Sequence, residues 1–184
     1  MRNLLFFDLE TKRTFAEVGG RENFKALGLA VAVTYSSASS VKDPEGEEYS
    51  VYMEKDIDAL IEELTSADLV VGFNLKRFDY EVLRGYRLLP PIPTLDILED
   101  IYQELGFRVG LDALAKATLG VGKSAHGLQS VEWFREGRLD LVIDYCRQDV
   151  ELTRLLYEYG RENGYLLYWD ERLQVNRRVP VSWG

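Results

Sequence analysis

Phe6-Phe7-Asp8-Leu9-Glu10-Thr11, preceded by Leu4-Leu5, is the stretch that decides the fold. The apolar run Leu4-Leu5-Phe6-Phe7 reads as a buried strand. Successive side chains on a strand leave opposite faces, so Asp8 and Glu10 project together from its end. Two like charges held that close repel each other, and burial raises the cost. A divalent cation between them removes the conflict. The bland alternative is a strand that ends in water with both acids solvated. Taken alone, so short a pattern favours that alternative, and what changes the balance lies further along the chain.

The chain has 184 residues, 46% of them hydrophobic, enough for one ordered domain with a full core. Cys146 as the one cysteine excludes an intrachain disulfide. With His126 the one histidine, no Cys/His zinc set exists either. A reducing, cytoplasmic compartment is the expectation. No basic region followed by a long apolar stretch opens the chain, so no signal peptide is expected. No run reaches membrane-spanning length. The net charge of −9 looks wrong for a protein that meets nucleic acid. Between Asp43 and Glu63, however, nine acids face one base, Lys55, and carry −8 of that total. The remainder is close to neutral. Acidity therefore does not exclude a polyanionic substrate, but it argues against tight non-specific binding by charge alone.

Read in order, Lys12 to Ala26 is a polar loop, and Leu27 to Tyr35 is a central strand rich in β-branched residues. Ser36 to Ser40 is a turn or edge region. Glu48 to Met53 alternates as a third strand after a turn at Pro44-Glu45-Gly46. The opening is thus three antiparallel strands. Asp56 is read as the cap of a helix carrying Ile57, Leu60, Ile61 and Leu64 on one face. Leu69 to Gly72 is a short buried strand. Phe73 to Leu83 is read as a second helix with Asn74 as its cap. Thr94 to Leu98 is either a short strand or a helix entrance. Leu111 to Leu119 is a helix stopped by Gly120 and Gly122, and Leu128 to Arg135 is another. Leu139 to Tyr159 has the longest helical pattern, closed by Asn163-Gly164. Tyr165 to Trp183 reads as an extended segment. The expectation is a single α/β domain over residues 1–184, a mixed sheet with helices packed on it, with 165–184 a C-terminal tail packing on the rest.

Three acidic motifs recur at element ends: Asp8-x-Glu10, Asn74-x-x-x-Phe78-Asp79 and Tyr145-x-x-x-Asp149. The last spacing puts both side chains on one helix face. Each has a dull explanation by itself. Asp79 suits the first turn of a helix for its dipole. Asp149 sits beside Asp144 and Glu151 as a solvated helix acid would, and Tyr145 suits a core tyrosine. Occurring together and in this order, the three lose those separate explanations.

The ordered set Phe7-Asp8-Leu9-Glu10-Thr11, Gly72-Phe73-Asn74 through Phe78-Asp79, and Tyr145-x-x-x-Asp149 resembles the DEDD, or DnaQ-like, 3′–5′ exonucleases of the ribonuclease H-like superfamily. The tyrosine makes it similar to the DEDDy branch, which includes proofreading domains of family B DNA polymerases. Leu111 to Gly120 also resembles the helix and loop before the third motif there. The resemblance covers roughly residues 3 to 160. It implies a ribonuclease H-like mixed sheet whose first three strands are antiparallel. It implies that Asp8, Glu10, Asp79 and Asp149 bind two divalent ions, Mg²⁺ or Mn²⁺, and that Tyr145 orients the attacking water. Hard cations prefer oxygen ligands, and two ions about 4 Å apart activate water and stabilise the leaving oxygen of an in-line displacement. An ordinary tyrosine pKa of about 10 makes Tyr145 a poor base at neutral pH.

The function implied is hydrolysis of single-stranded DNA or RNA from its 3′ end, releasing nucleoside 5′-monophosphates. The rival is a non-catalytic module of the same fold that binds nucleic acid or a protein. A polymerase or helicase partner leaves no trace in the sequence, and no membrane contact is expected. Substrate-binding candidates are Leu9, Thr11, Asn74, Phe78 and Lys123, although core packing explains Leu9 equally simply and is the better account of Phe73 and Phe78. Lys76, Arg77, Arg108 and Lys116 join Lys123 as candidates for phosphate contacts, and Phe73 or Phe107 for base stacking. Ala117-Thr-Leu-Gly-Val-Gly-Lys-Ser124 ends like a phosphate-binding loop. It lacks the first glycine, the preceding strand and the following helix, so a nucleotide-hydrolase reading is set aside in favour of a basic substrate loop.

Overall fold

Alternation along β1 (Leu4–Thr11) splits the core in two. Leu5, Phe7 and Leu9 join one apolar layer, and Phe6 joins the other. A strand apolar on both faces needs cover on both faces, and the helices supply it. The computed structural model of the chain describes residues 3–37, 49–122 and 127–183. The expected turn at Pro44-Glu45-Gly46 lies outside them, as do Lys123, Ser124 and His126.

The sheet has five strands. β2 (Leu29–Ser36) and β3 (Tyr49–Tyr52) follow β1, then β4 (Leu69–Gly72) and β5 (Thr94–Asp96), in the order β3-β2-β1-β4-β5. β1 to β3 pair antiparallel, while β4 and β5 run parallel to β1. This is the ribonuclease H-like mixed sheet expected from the sequence. A bulge between Glu10 and Thr11 shifts the β1–β2 register, so that Glu10 faces Val31 and Thr11 faces Leu29. Such bulges re-aim side chains at strand ends.

Six α-helices are present among the described residues: α1 (Ile57–Ser66), α2 (Asp79–Leu83), α3 (Ile97–Leu105), α4 (Leu111–Leu119), α5 (Gly127–Arg135) and α6 (Leu139–Asn163). α1 and α2 contribute to the layer of Leu5 and Phe7. α3, α4 and α6 contribute to the layer of Phe6. α6 is stopped by Gly164 at φ 76°, a left-handed position that glycine takes without strain. The extended segment expected after α6 is two paired strands, β6 (Tyr165–Asp170) and β7 (Val175–Pro180), joined by a turn at 171–174. No helix among the described residues is long and apolar enough to cross a membrane.

Two local expectations are corrected. Asn74 does not cap a helix: it has φ 69°, and the helix starts at Asp79. The reason is Asp96, whose carboxylate accepts the Asn74 and Lys76 N–H groups (2.8 and 3.0 Å) and holds 73–78 as a non-helical turn. Asp56 does not cap α1 through its side chain either. Its carboxylate turns back to accept the Met53 N–H at 3.1 Å.

Candidate active site

The carboxyl ends of the parallel strands β1, β4 and β5 point the same way, which makes a crevice there the expected ligand site of such a sheet. Asp8 and Glu10 leave the end of β1 on the face of Phe6, toward α6. One helical turn on α6 separates Tyr145 from Asp149, and both are buried against that strand end. Carboxylate oxygens of Asp8, Glu10 and Asp149 lie within 4.8 Å of one another. Asp79, first residue of α2, stands apart from this threesome but on the same cavity. β1 pairs with β4 no further than Phe6, and beyond it the Leu9 N–H donates to Asp79 Oδ1 at 3.1 Å. The backbone between Asp8 and Glu10 is thereby tied to the second motif.

Electrostatics set what this cluster needs. Two full charges about 5 Å apart repel by about 3 kcal/mol at the effective dielectric of a protein site. Glu10, Asp79 and Asp149 are 9%, 2% and 5% exposed, so water screens them little. Burial, then the charge of Asp8, pushes the Asp79 carboxyl well above the usual carboxylate range. Burial, then Asp149, Glu10 and Asp8, pushes the Tyr145 hydroxyl well above the ordinary tyrosine value. Tyr145 thus stays a neutral O–H donor across the physiological range. The donor set fits hard divalent cations: it consists of carboxylate oxygens. The nearby sulfur does not compete. Burial drives the Cys146 thiol upward, and it donates to Asp8 O at 3.3 Å and Asp8 Oδ2 at 3.6 Å as a protonated group.

Four of the five sequence-predicted substrate residues border the same cavity of about 360 Å³: Leu9, Thr11, Asn74 and Phe78. Lys123 lies outside the described residues. Leu9 is also core, at 3% exposure. The Thr11 hydroxyl is turned to the Arg13 carbonyl at 3.0 Å. Phe78 packs edge-on against Phe15 and Phe24, with ring centroids 6.0 and 5.9 Å away, and so lines the cavity as part of an aromatic wall. Lys76 is held by Glu99 at 2.5 Å, and Arg108 donates to Asn74 Oδ1 at 2.8 Å. Lys116 borders a different cavity beside Trp169.

Sequence reasoning misses three supporting groups. The Ser130 hydroxyl of α5 donates to Glu10 Oε2, and nothing in the local sequence marks it. Cys146 backs Asp8 from the α6 stripe. Asp96 both caps α3 through the Glu99 N–H (3.3 Å) and fastens the Asn74 turn. Its signal was available, since Asp96 and Glu99 have cap and third-position spacing.

The RNase H superfamily model matches residues 5–160 of the chain. No curated protein matches it by sequence. Among solved structures, the family B DNA polymerase of the hyperthermophilic archaeon Pyrobaculum calidifontis superposes with a TM-score of 0.62 at 17% identity, over 87% of this chain and 24% of its own. A zinc-bound complex of E. coli exonuclease I with single-stranded DNA superposes with a TM-score of 0.53 at 14% identity, over 89% of this chain and 41% of its own. At such identities the likeness is one of fold. The chain spans about a quarter of the polymerase and about two fifths of the exonuclease.

Proposed function

The chain belongs to the RNase H superfamily, and on that premise we propose that it is a DEDDy-type, metal-dependent 3′–5′ exonuclease. It removes nucleoside 5′-monophosphates from single-stranded 3′ ends. The observation that carries the reading is the convergence of Asp8, Glu10 and Asp149 oxygens within 4.8 Å, from a strand and a helix far apart in sequence. Solved relatives in fold include an exonuclease in complex with single-stranded DNA, which supports the substrate class. Residues 1–184 act in this reading as one exonuclease-like unit, with residues 165–184 packed on it.

Asp8, Glu10 and Asp149 would hold one divalent ion, Mg²⁺ or Mn²⁺, and Asp8 with Asp79 a second. Such ions, when bound, supply the Lewis acidity that activates water and stabilises the leaving 3′-oxygen. The chain's own residues do the rest. Tyr145 donates a hydrogen bond that orients the attacking water and, kept protonated by its surroundings, takes no proton itself. Ser130 and Cys146 fix the Glu10 and Asp8 carboxylates in place. The apolar wall of Leu9 and Phe78 takes the terminal nucleotide and keeps water from its far side.

The test is a 5′-labelled single-stranded oligonucleotide, incubated with Mn²⁺ or Mg²⁺. A ladder of products shortened from the 3′ end is expected, absent with chelator, with Asp8→Ala and with a blocked 3′ terminus. Binding without any metal-dependent shortening would favour a non-catalytic module. Digestion indifferent to the 3′ block would overturn the polarity.

A further inference from the structure

The acid-lined cavity is one end of a longer groove. It shares Asp8, Phe73, Asn74, Phe78 and Asp149 with a neighbouring second cavity of about 380 Å³, which Arg108 and Gly110 also border. Past Leu98 and Arg108 this continues into a third, of about 210 Å³, bordered by Arg77, Tyr102 and Gln103. Asn74 touches all three. An exonuclease leaves one nucleotide beyond the scissile bond. The first cavity, where Leu9 and Phe78 stand beside the acids, suits that one, and the rest of the strand has to leave by another route.

Charge selects the route. A cavity of about 490 Å³ on another side of Tyr145 presents Asp144 and Glu151 against Arg147. The cavity beside Trp169 presents Asp112 and Glu171 against Lys116. Neither offers an excess of base: Glu151 is already paired with Arg154, which leaves Asp144 against Arg147 in the first, and two acids stand against Lys116 in the second. The third cavity also contains two acids, but both are already compensated. Glu99 is paired with Lys76 at 2.5 Å. Asp96 is turned inward onto the N–H groups of Asn74, Lys76 and Glu99. Among the described residues, Arg77 and Arg108 carry no ion pair, and both are exposed. Beside them Tyr102 is 46% exposed, which leaves part of an aromatic side chain open to the cavity. Two guanidinium groups without a carboxylate partner, Arg108 holding only the Asn74 amide oxygen, beside a half-exposed aromatic side chain suit a single-stranded backbone with unstacked bases.

We infer that the cavity between Arg77, Arg108 and Tyr102 is a strand-binding subsite for the second nucleotide upstream of the scissile bond, beyond the one that the middle cavity takes. Its ligand is single-stranded nucleic acid: the phosphates lie on the two arginines and a base stacks on Tyr102. The inference rests on the exonuclease reading for its direction, since only that reading says which side of the acids holds the long arm. It makes the site length-sensitive. A dinucleotide ends before the subsite, and a longer strand reaches it.

Two measurements test it. Fluorescence anisotropy follows a labelled oligothymidylate in chelator, where no turnover occurs. Steady-state cleavage compares a dinucleotide with a longer oligonucleotide. Tyr102→Ala and Arg77→Ala are each expected to weaken binding of the long strand about tenfold, the order of one lost stacking or charge contact, and to raise its KM similarly. The dinucleotide kcat/KM stays unchanged. Arg77→Ala also lowers the slope of log affinity against log salt by about 0.7, one phosphate on a single strand. Equal losses on both substrate lengths would overturn the subsite. If the wild type cuts and both variants match it at every length, the subsite fails while the exonuclease reading stands. If the wild type binds without cutting, loss of binding in the variants upholds the subsite while the exonuclease reading fails.

Discussion

Asp79 is 2% exposed and faces the charge of Asp8, so in the metal-free protein it binds its proton more tightly folded than unfolded. A group with a raised folded pKa contributes stability below its unfolded pKa, about 3.9 for aspartate, and loses it as pH rises through the folded value. At neutral pH this buried acid therefore detracts from the stability of the metal-free fold relative to low pH. Asp79→Asn keeps an oxygen acceptor for the Leu9 N–H and removes the charge. It is expected to raise metal-free stability at pH 7 by about 1 kcal/mol or more, a Tm increase of about 2–4 °C per kcal/mol for a chain of this size. Under the proposed function the same substitution is expected to abolish nuclease activity. Thermal denaturation in chelator checks it: the Tm gap between variant and wild type should close on acidification, and a gap that widens toward low pH would refute the account. Tyr145 makes the complementary case. Its hydroxyl orients rather than deprotonates, so Tyr145→Phe should lower kcat about 10²-fold, the scale of a misplaced reactant, with Mn²⁺ affinity unchanged by calorimetry.

Among the elements, α6 carries the third motif, and a latch holds its far end. Trp183 stacks on Tyr157 at 5.9 Å between ring centroids and 11° between planes, and its indole N–H donates to Asp100 of α3 at 2.6 Å. Gly160 lets that ring approach, since a Cβ there would lie 2.4 Å from Trp183 Cζ3. Helix propensity alone favours alanine over glycine by about 1 kcal/mol. Overpacking a filled site costs about 1–3 kcal/mol, and the clash wins. Gly160→Ala should lower the Tm by denaturation, and in a Trp183→Ala background the same change should raise it. A stabilising effect in both backgrounds would show that the ring yields freely. The elements also mark where sequence reading stops. β1 and α6 were legible because their periods of 2 and 3.6 place Asp8 with Glu10 and Tyr145 with Asp149. The turn at 73–78 was not, because the Asp96 carboxylate that shapes it comes 22 residues later. α3 went unread past Leu98, although Ile97, Leu98 and Ile101 are buried at helical spacing and Gly106 caps its end. The pairing of 165–170 with 175–180 depends on Leu166, Tyr168 and Val179 finding the core, which no local window reports.

For the molecule as a whole, the ribonuclease H-like sheet explains why residues 8, 10, 79 and 149 border one cavity. Parallel strands β4 and β5 end level with Phe7, β1 runs on past them to Thr11, and α6 packs on β1 there. The sequence indicated this convergence through the order of three motifs. It did not indicate Ser130, whose contact with Glu10 spans 120 residues. The net charge of −9 belongs chiefly to the Asp43–Glu63 stretch, so the groove beside Arg77 and Arg108 keeps a local sign that the total conceals. What the account depends on most is that the clustered acids share cations. Calorimetric titration of the metal-free protein with Mn²⁺ measures this without any substrate. Saturable binding in the wild type that is lost in Asp8→Ala, but retained in Asp144→Asn on the neighbouring face of α6, is the predicted result. Mn²⁺ binding of unchanged affinity in Asp8→Ala would contradict it.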